Sequence, residues 1–367
     1  MQIIHNCHTH IFTTDHVPDR VLPFGAVGWL QNESSAKRLR GVLRAIDPFA
    51  SFWYRTFGNP DRTGLLARFG SMLELSDSRT QGGIFERLAL QYPSGTRFIA
   101  LSIDMDYMGA GAVKKPFLEQ IKELAILKKQ IGNTLIPFIG IDPRRENILE
   151  LVKEYIEEHN FGGLKLYPSL GFFPNDPKLY PVYDYAIAKN LPIITHCGRG
   201  GLHFHGEPQH TVNLEGQKLY GRNNTEFAWN YTNPQAYVRL LQDFKTLKLC
   251  FGHFGGDAEW KLYLRDHQRR LPVVTQSWGS QIMNFMHDYE NVWTDISYTA
   301  ASRELHPLIK VLINDPKIGD RILFGSDFFV VRAESSEREF SIRLRGALGE
   351  EDYWKIAMTH PIKFLLD

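Results

Sequence analysis

Cysteine is scarce in this chain of 367 residues, with three in all. Cys7, Cys197 and Cys250 close short apolar runs and show no CxxC spacing, which excludes a disulfide framework and a cysteine zinc knuckle. They read as small packing residues. Excess charge is also missing: 42 Lys and Arg stand against 41 Asp and Glu, a formal net charge of +1. A chain so balanced carries no electrostatic footprint for nucleic acid or an anionic membrane surface. No apolar run approaches the ~18 residues that span a bilayer. No basic stretch leads into an apolar core with a small-residue cleavage site, so a cytoplasmic location is expected. A GxGxxG turn and a Walker loop are absent, which gives nucleotide binding little support, and no internal repeat or Pro- or Ser-rich linker separates two halves; a small-molecule substrate is the partner expected.

What is present is a run of strand ends that carry chemistry. His8-Thr9-His10 ends a short apolar run, and in a strand residues two apart share a face, so both imidazoles can converge on one metal ion. Lys165 in GLKLYP, His196 in PIITHCG, His253 in LCFGHFGG and Asp327 in ILFGSDFF each follow an apolar run of strand length bounded by Gly, Pro or polar residues. From Arg97 onward, strand and helix patterns alternate. Phe117, Ile121, Leu124, Leu127 and Ile131 repeat at three to four residues and predict a helix over 117–131, with others over 146–159 and 180–189. Counting the first strand, there are eight strand candidates, and the expected fold is an α/β (β/α)8 TIM barrel with its site at the C-terminal strand ends. A doubly wound sheet is the alternative fold. The segment 12–95 breaks the rhythm and reads as a helical insertion. Its runs FASFWYRTFG (49–58) and IFERLALQY (84–92) predict short helices that either cover the barrel mouth or form a peripheral layer or oligomer interface.

The motifs NCHTH, IDPR, GLKLYP, THCG, GHFGG, TDIS and FGSDFF, taken in this order, resemble the amidohydrolase superfamily, in its amidohydrolase-related branch of decarboxylases and lactonases. The resemblance implies that His8, His10, His196 and Asp327 hold a divalent metal. Zinc is the ion most often found, and the ligand types also suit manganese or iron. It further implies that His253 is an acid/base in a mononuclear site or a ligand in a binuclear one. Lys165 has two readings, a carboxylated bridge between two metals, or an ammonium that pairs a carboxylate or binds an anionic substrate. Asp327 reads as a ligand that also moves a proton, or as a helix N-cap. Asp295 is expected to support a ligand histidine from behind. In the loop GRGGLHFHGEPQH, Arg199 is a candidate for binding a substrate carboxylate. His203, His205 and His210 read as solvent-facing, and Trp278, Tyr298 and Phe328 either line the pocket or pack the core. Homo-oligomerisation is implied by the resemblance alone.

The leading expectation is a metal-dependent hydrolase that attacks a small amide or lactone with metal-activated water, His253 and Asp327 moving the protons. The alternative keeps the same metal site in a nonoxidative decarboxylase of an aromatic or unsaturated acid. A third reading, a barrel with a structural metal and no turnover, is disfavoured because structural zinc is usually enclosed by four ligands in small modules.

Overall fold

The computed structural model describes residues 2–21, 78, 80–207, 212–213, 216–268, 277–328 and 336–366. Eight parallel strands lie in sequence order: β1 (His5–Thr9), β2 (Arg97–Leu101), β3 (Leu135–Ile141), β4 (Gly163–Leu166), β5 (Ile193–Thr195), β6 (Leu249–Phe251), β7 (Val292–Asp295) and β8 (Ile322–Leu323). The last strand meets the first. Cys7 N donates to Phe324 O and Asp327 N donates to His8 O, each at 2.8 Å. With helices between the strands, this is the (β/α)8 barrel that the alternating pattern predicts.

The strands are short and buried on both faces, so their period of two sorts an inner from an outer core. Cys7, Ile99, Leu101, Phe138, Ile194, Cys250, Trp293 and Leu323 pack together inside the barrel, and Phe364 of the C-terminal helix His360–Leu366 joins them. Their neighbours Phe98, Leu164, Leu166, Ile193, Leu249, Phe251, Val292 and Ile322 face outward and pack with the helices. On β4 the alternation between Leu164 and Leu166 leaves Lys165 as the inward residue. A cation therefore occupies a place that other strands give to apolar side chains.

The stripe predicted over 117–131 is the helix Phe117–Ile131, with Phe117, Ile121, Leu124 and Leu127 buried. Within the segment 12–95, residues 49–58 lie outside the described residues. The pattern at 84–92 falls largely in the helix Gln81–Ala89, capped by the Thr80 side chain, which accepts from Gly83 N at 3.2 Å. This helix buries Ile84, Phe85 and Leu88, and the Phe85 ring meets the outward ring of Phe98 at 5.6 Å. Through this contact the helix packs on the outer face of the barrel. Among the described residues, no helix is long and apolar enough to cross a membrane.

Candidate metal centre

The N-terminal histidines converge by a route that strict alternation does not provide. Strand β1 pairs with β2 as His5↔Arg97, Asn6↔Phe98 and Thr9↔Ala100, so the register slips between Asn6 and Thr9. A bulge of this kind re-aims side chains. Cys7 enters the inner core while His8 also turns inward, onto Asp295 at the end of β7. The His8 and His10 rings then stand 5.3 Å apart, edge to face.

His8, His10 and Asp327 each offer a ligand atom, and these atoms lie within 4.8 Å of one another. His10 Nε2 is 3.9 Å from Asp327 Oδ1. Both imidazoles are gripped from behind: His8 Nδ1 donates to Asp295 Oδ2 at 2.8 Å, and His10 Nδ1 donates to Leu101 O at 2.9 Å. Those bonds fix the tautomers, leaving each Nε2 lone pair toward the centre. Burial, aided by the Lys165 charge, holds both histidines well below the usual imidazole range, so they stay neutral and ligand-competent. His8 Nε2 is buried and has no hydrogen-bond partner among the described residues. A buried lone pair facing a second imidazole and a carboxylate fits a divalent ion, and the donor set suits zinc, manganese or iron. Burial also raises the Asp327 carboxyl to about 7, against the opposing pull of Lys165. The chain that would show whether Asp327 caps a helix lies largely outside the described residues.

Beside this triad, His253 sits in a strained loop. His253, Phe254, Gly255 and Gly256 have φ of 65, 47, 81 and 96°, four left-handed residues in succession. Each non-glycine residue there costs roughly 1–2 kcal/mol, and such strain persists only where the surroundings over-determine it. Here His253 N donates to Asp295 Oδ1 at 3.1 Å, and Thr299 Oγ1 donates to His253 O at 2.5 Å. Tyr298 and Asp327, with φ of 61 and 56°, are strained at the same end of the barrel.

Ser297, two residues beyond Asp295 in the TDIS motif, was not singled out from sequence and completes the cluster. Its hydroxyl donates to Asp295 Oδ1 and so accepts from His253 Nδ1, 2.9 Å away. His253 Nε2 then accepts from His196 Nδ1 at 3.0 Å, while His196 Nε2 faces Gly200 O, also at 3.0 Å. These four contacts share three protons when both imidazoles are neutral, so the set is one proton short. Burial holds His253 below its ordinary range and His196 at about 3.

The remaining sequence candidates separate. His196 lies in the cluster, yet neither of its nitrogens belongs to a ligand triad; its ring stacks on Tyr167 at 4.3 Å. Lys165 is 1 % exposed and its Nζ has no hydrogen-bond partner among the described residues. The expected pairing of its ammonium with a carboxylate inside the barrel is not formed. Burial lowers the amine to about 8, with Asp295 and Asp327 opposing. A small cavity beside it, of about 10 Å³, is bordered by Ser102, Asp104, Asp142 and Tyr167, and a space of that size takes about one water. Arg199 lies between the indoles of Trp229 and Trp278, at 4.6 and 4.7 Å, and its Nε donates to buried Glu259 at 2.5 Å. Trp278 is therefore a face of this stack. His203 and His205 stack on each other at 4.6 Å, and His210 lies outside the described residues. Tyr298 stands edge-on to His253 at 6.4 Å. Phe328, the neighbour of Asp327, borders a larger cavity of about 370 Å³ with Arg87, Leu90 and Glu337, and none of the triad is among the described residues that line it. The triad therefore defines the site better than cavity size does.

A family model described as Amidohydrolase matches residues 121–359. Among solved structures, 5-carboxyvanillate decarboxylase from Sphingomonas paucimobilis is similar at 14% identity and a TM-score of 0.52, covering 100% of this chain and 99% of that one. The 5-carboxyvanillate decarboxylase from Novosphingobium aromaticivorans, complexed with manganese and 4-hydroxy-3-methoxy-5-nitrobenzoic acid, matches at 14% identity and 0.51, covering 83% and 91%. An uncharacterized TIM-barrel protein from Bordetella bronchiseptica matches at 16% and 0.51, covering 85% and 92%. No curated protein matches the chain.

Proposed function

For a chain that belongs to the amidohydrolase family, we propose the second of the two chemistries read from the sequence: metal-dependent, nonoxidative decarboxylation of an aromatic or unsaturated carboxylic acid. The observation that carries this reading is Lys165, a buried amine that lies over the Tyr167 ring at 5.5 Å, has no hydrogen-bond partner among the described residues, and feels the charges of Asp295 and Asp327 without pairing to either. A neutral amide or lactone leaves that amine without a direct ionic contact, whereas an acid substrate brings a carboxylate that can pair with it. Two of the similar barrels carry the name of a decarboxylase of an aromatic acid, and one of them holds manganese. Both point the same way, and the manganese of the neighbour is one of the ions that this donor set suits.

His8, His10 and Asp327 would hold the ion, with His196 a further ligand if its ring turns from Gly200. When bound, the ion supplies positive charge that orients the substrate acid. The protein's own task is one proton. As the bond to the carboxylate carbon breaks, its electron pair stays on the substrate carbon, CO2 leaves, and that carbon takes a proton. His253 would deliver it: its chain, one proton short while both imidazoles are neutral, takes up a proton from water as the acid binds, because substrate negative charge favours the imidazolium form, and that proton passes to the carbon. Arg199, held flat by its two indoles, offers its outer edge to a further acidic or hydroxyl group.

The test is product identity. The manganese-loaded protein, given 5-carboxyvanillate and a panel of hydroxybenzoates and unsaturated acids in D2O, is expected to release CO2 and place one deuterium on the vacated carbon. Hydrolysis of neutral amides or lactones, with no CO2 from any acid, would reverse the choice.

A further inference from the structure

We infer that Asn6 is the positioning residue of the metal centre, fixing the seam between β1 and β8 on which the separation of the two histidines from Asp327 depends. Asn6 is fully buried two residues before His8. Its carboxamide clasps the residue before Asp327 twice: Oδ1 accepts from Ser326 N at 3.0 Å, and Nδ2 donates to Ser326 Oγ at 2.8 Å. The other Nδ2 hydrogen points to Tyr92 OH at 3.1 Å, and that hydroxyl donates to Glu337 Oε1 at 2.7 Å. The network thus runs from β1 to the end of β8, then to the chain before β2 and to the start of the helix Glu337–Leu348. Only one amide orientation serves, since a flipped Asn6 would aim its NH2 at the Ser326 N–H.

The seam needs such a clasp. Strand β8 has two residues, Ile322–Leu323, so regular ladder pairing with β7 ends well before Asp327. Beyond it the chain must hold Asp327 at φ 56°, which a non-glycine residue resists. It must also pass close to His8: a Cβ on Gly325 would lie 2.7 Å from His8 Cβ, a separation that real side chains do not reach. The Asn6 amide takes over where ladder bonds stop. It sets Ser326 by main chain and side chain together, and the Asp327 N to His8 O bond completes the lock. Partners behind the ligands of a metal are typically worth about 10- to 100-fold in its affinity.

This inference rests on His8, His10 and Asp327 being ligands, and not on the reaction. The full chain is stripped of metal, and its Mn2+ affinity is measured by competition with a chelator, alongside the melting temperature of the metal-free form. Asn6→Ala is expected to weaken Mn2+ binding about 10- to 100-fold. Tyr92→Phe, which keeps the ring packing on Phe98, gives a smaller, resolvable weakening. Tyr183→Phe, on the helix Tyr180–Ala188 between β4 and β5 and far from the seam, removes the buried bond from Tyr183 OH to Pro174 O at 2.5 Å. It lowers the melting temperature and leaves the affinity unchanged, which separates positioning from general stability. A folded Asn6→Ala protein with wild-type affinity overturns the inference. If Asn6→Ala does not fold, unchanged affinity in Tyr92→Phe overturns it instead. A wild-type chain that binds no Mn2+ removes the ligand assignment as well, a distinguishable failure.

Discussion

Replacing His8 by alanine is expected to strip the divalent ion from the protein while the barrel remains folded. The substitution removes the one triad nitrogen that is buried and without a partner. Asp295 loses its bond to His8, yet it still accepts from the backbone N–H groups of His253 and Ser297, at 3.1 and 3.0 Å. The outer helices and inner core are untouched. Elemental analysis after dialysis reads the outcome, with circular dichroism reporting the fold, and full metal occupancy would sink the ligand assignment. The same site predicts an unusual pH dependence in the wild type. The Asp327 carboxyl stands at about 7, so below that pH a proton competes with the ion. Affinity should fall about tenfold per pH unit below 7 and level off above it, because ligands must be deprotonated to bind. The metal-free fold has the opposite sign. The raised carboxyl binds its proton better folded than unfolded, so its contribution to stability declines as pH rises from about 4 to about 7. A flat affinity between pH 5 and 8 would show that Asp327 does not gate the site.

The second large effect concerns the proton. His253→Asn should retain the metal and lose about 10²- to 10⁴-fold in kcat, the range that a positioned acid or base supplies. Asparagine can keep hydrogen bonds toward Ser297 and His196 but cannot carry the proton that completes their chain. Metal content near wild type with collapsed turnover is the expected pair of readings. Unchanged turnover takes His253 out of the mechanism. Loss of metal together with activity would make it a ligand, through the alternative grouping of His8, His253 and Asp295, whose ligand atoms also lie within 4.8 Å of one another.

Much of this was legible because it is local. The helix Phe117–Ile131 follows from a stripe at three- to four-residue spacing, and its glycine stop at Gly132, with φ 66°, sits where the stripe ends. Strands such as Leu249–Phe251 follow from apolar runs that switch to Gly and His where the barrel opens. Ser297, Asn6 and Glu259 were not legible as site residues. Their partners are His253, Ser326 and Arg199, separated from them by 44, 320 and 60 positions. Ser297 did carry a faint signal, two residues beyond Asp295 and hence on the same side of the chain.

By itself the sequence determined the succession of strands and helices and which residue types stand at each strand end, since periodicity and turn chemistry act within a few residues. It also determined the chemistry on offer: imidazoles, carboxylates and one lysine on an inner face. Only the tertiary structure decided how they combine. The bulge in β1 turned His8 inward beside Cys7, burial left Lys165 with no hydrogen-bond partner among the described residues, and the ring of His196 took its bonds from His253 and Gly200 instead of the triad. Hydrogen-bond direction, strain and desolvation depend on groups that come from other strands, and those distances are set only when the barrel closes.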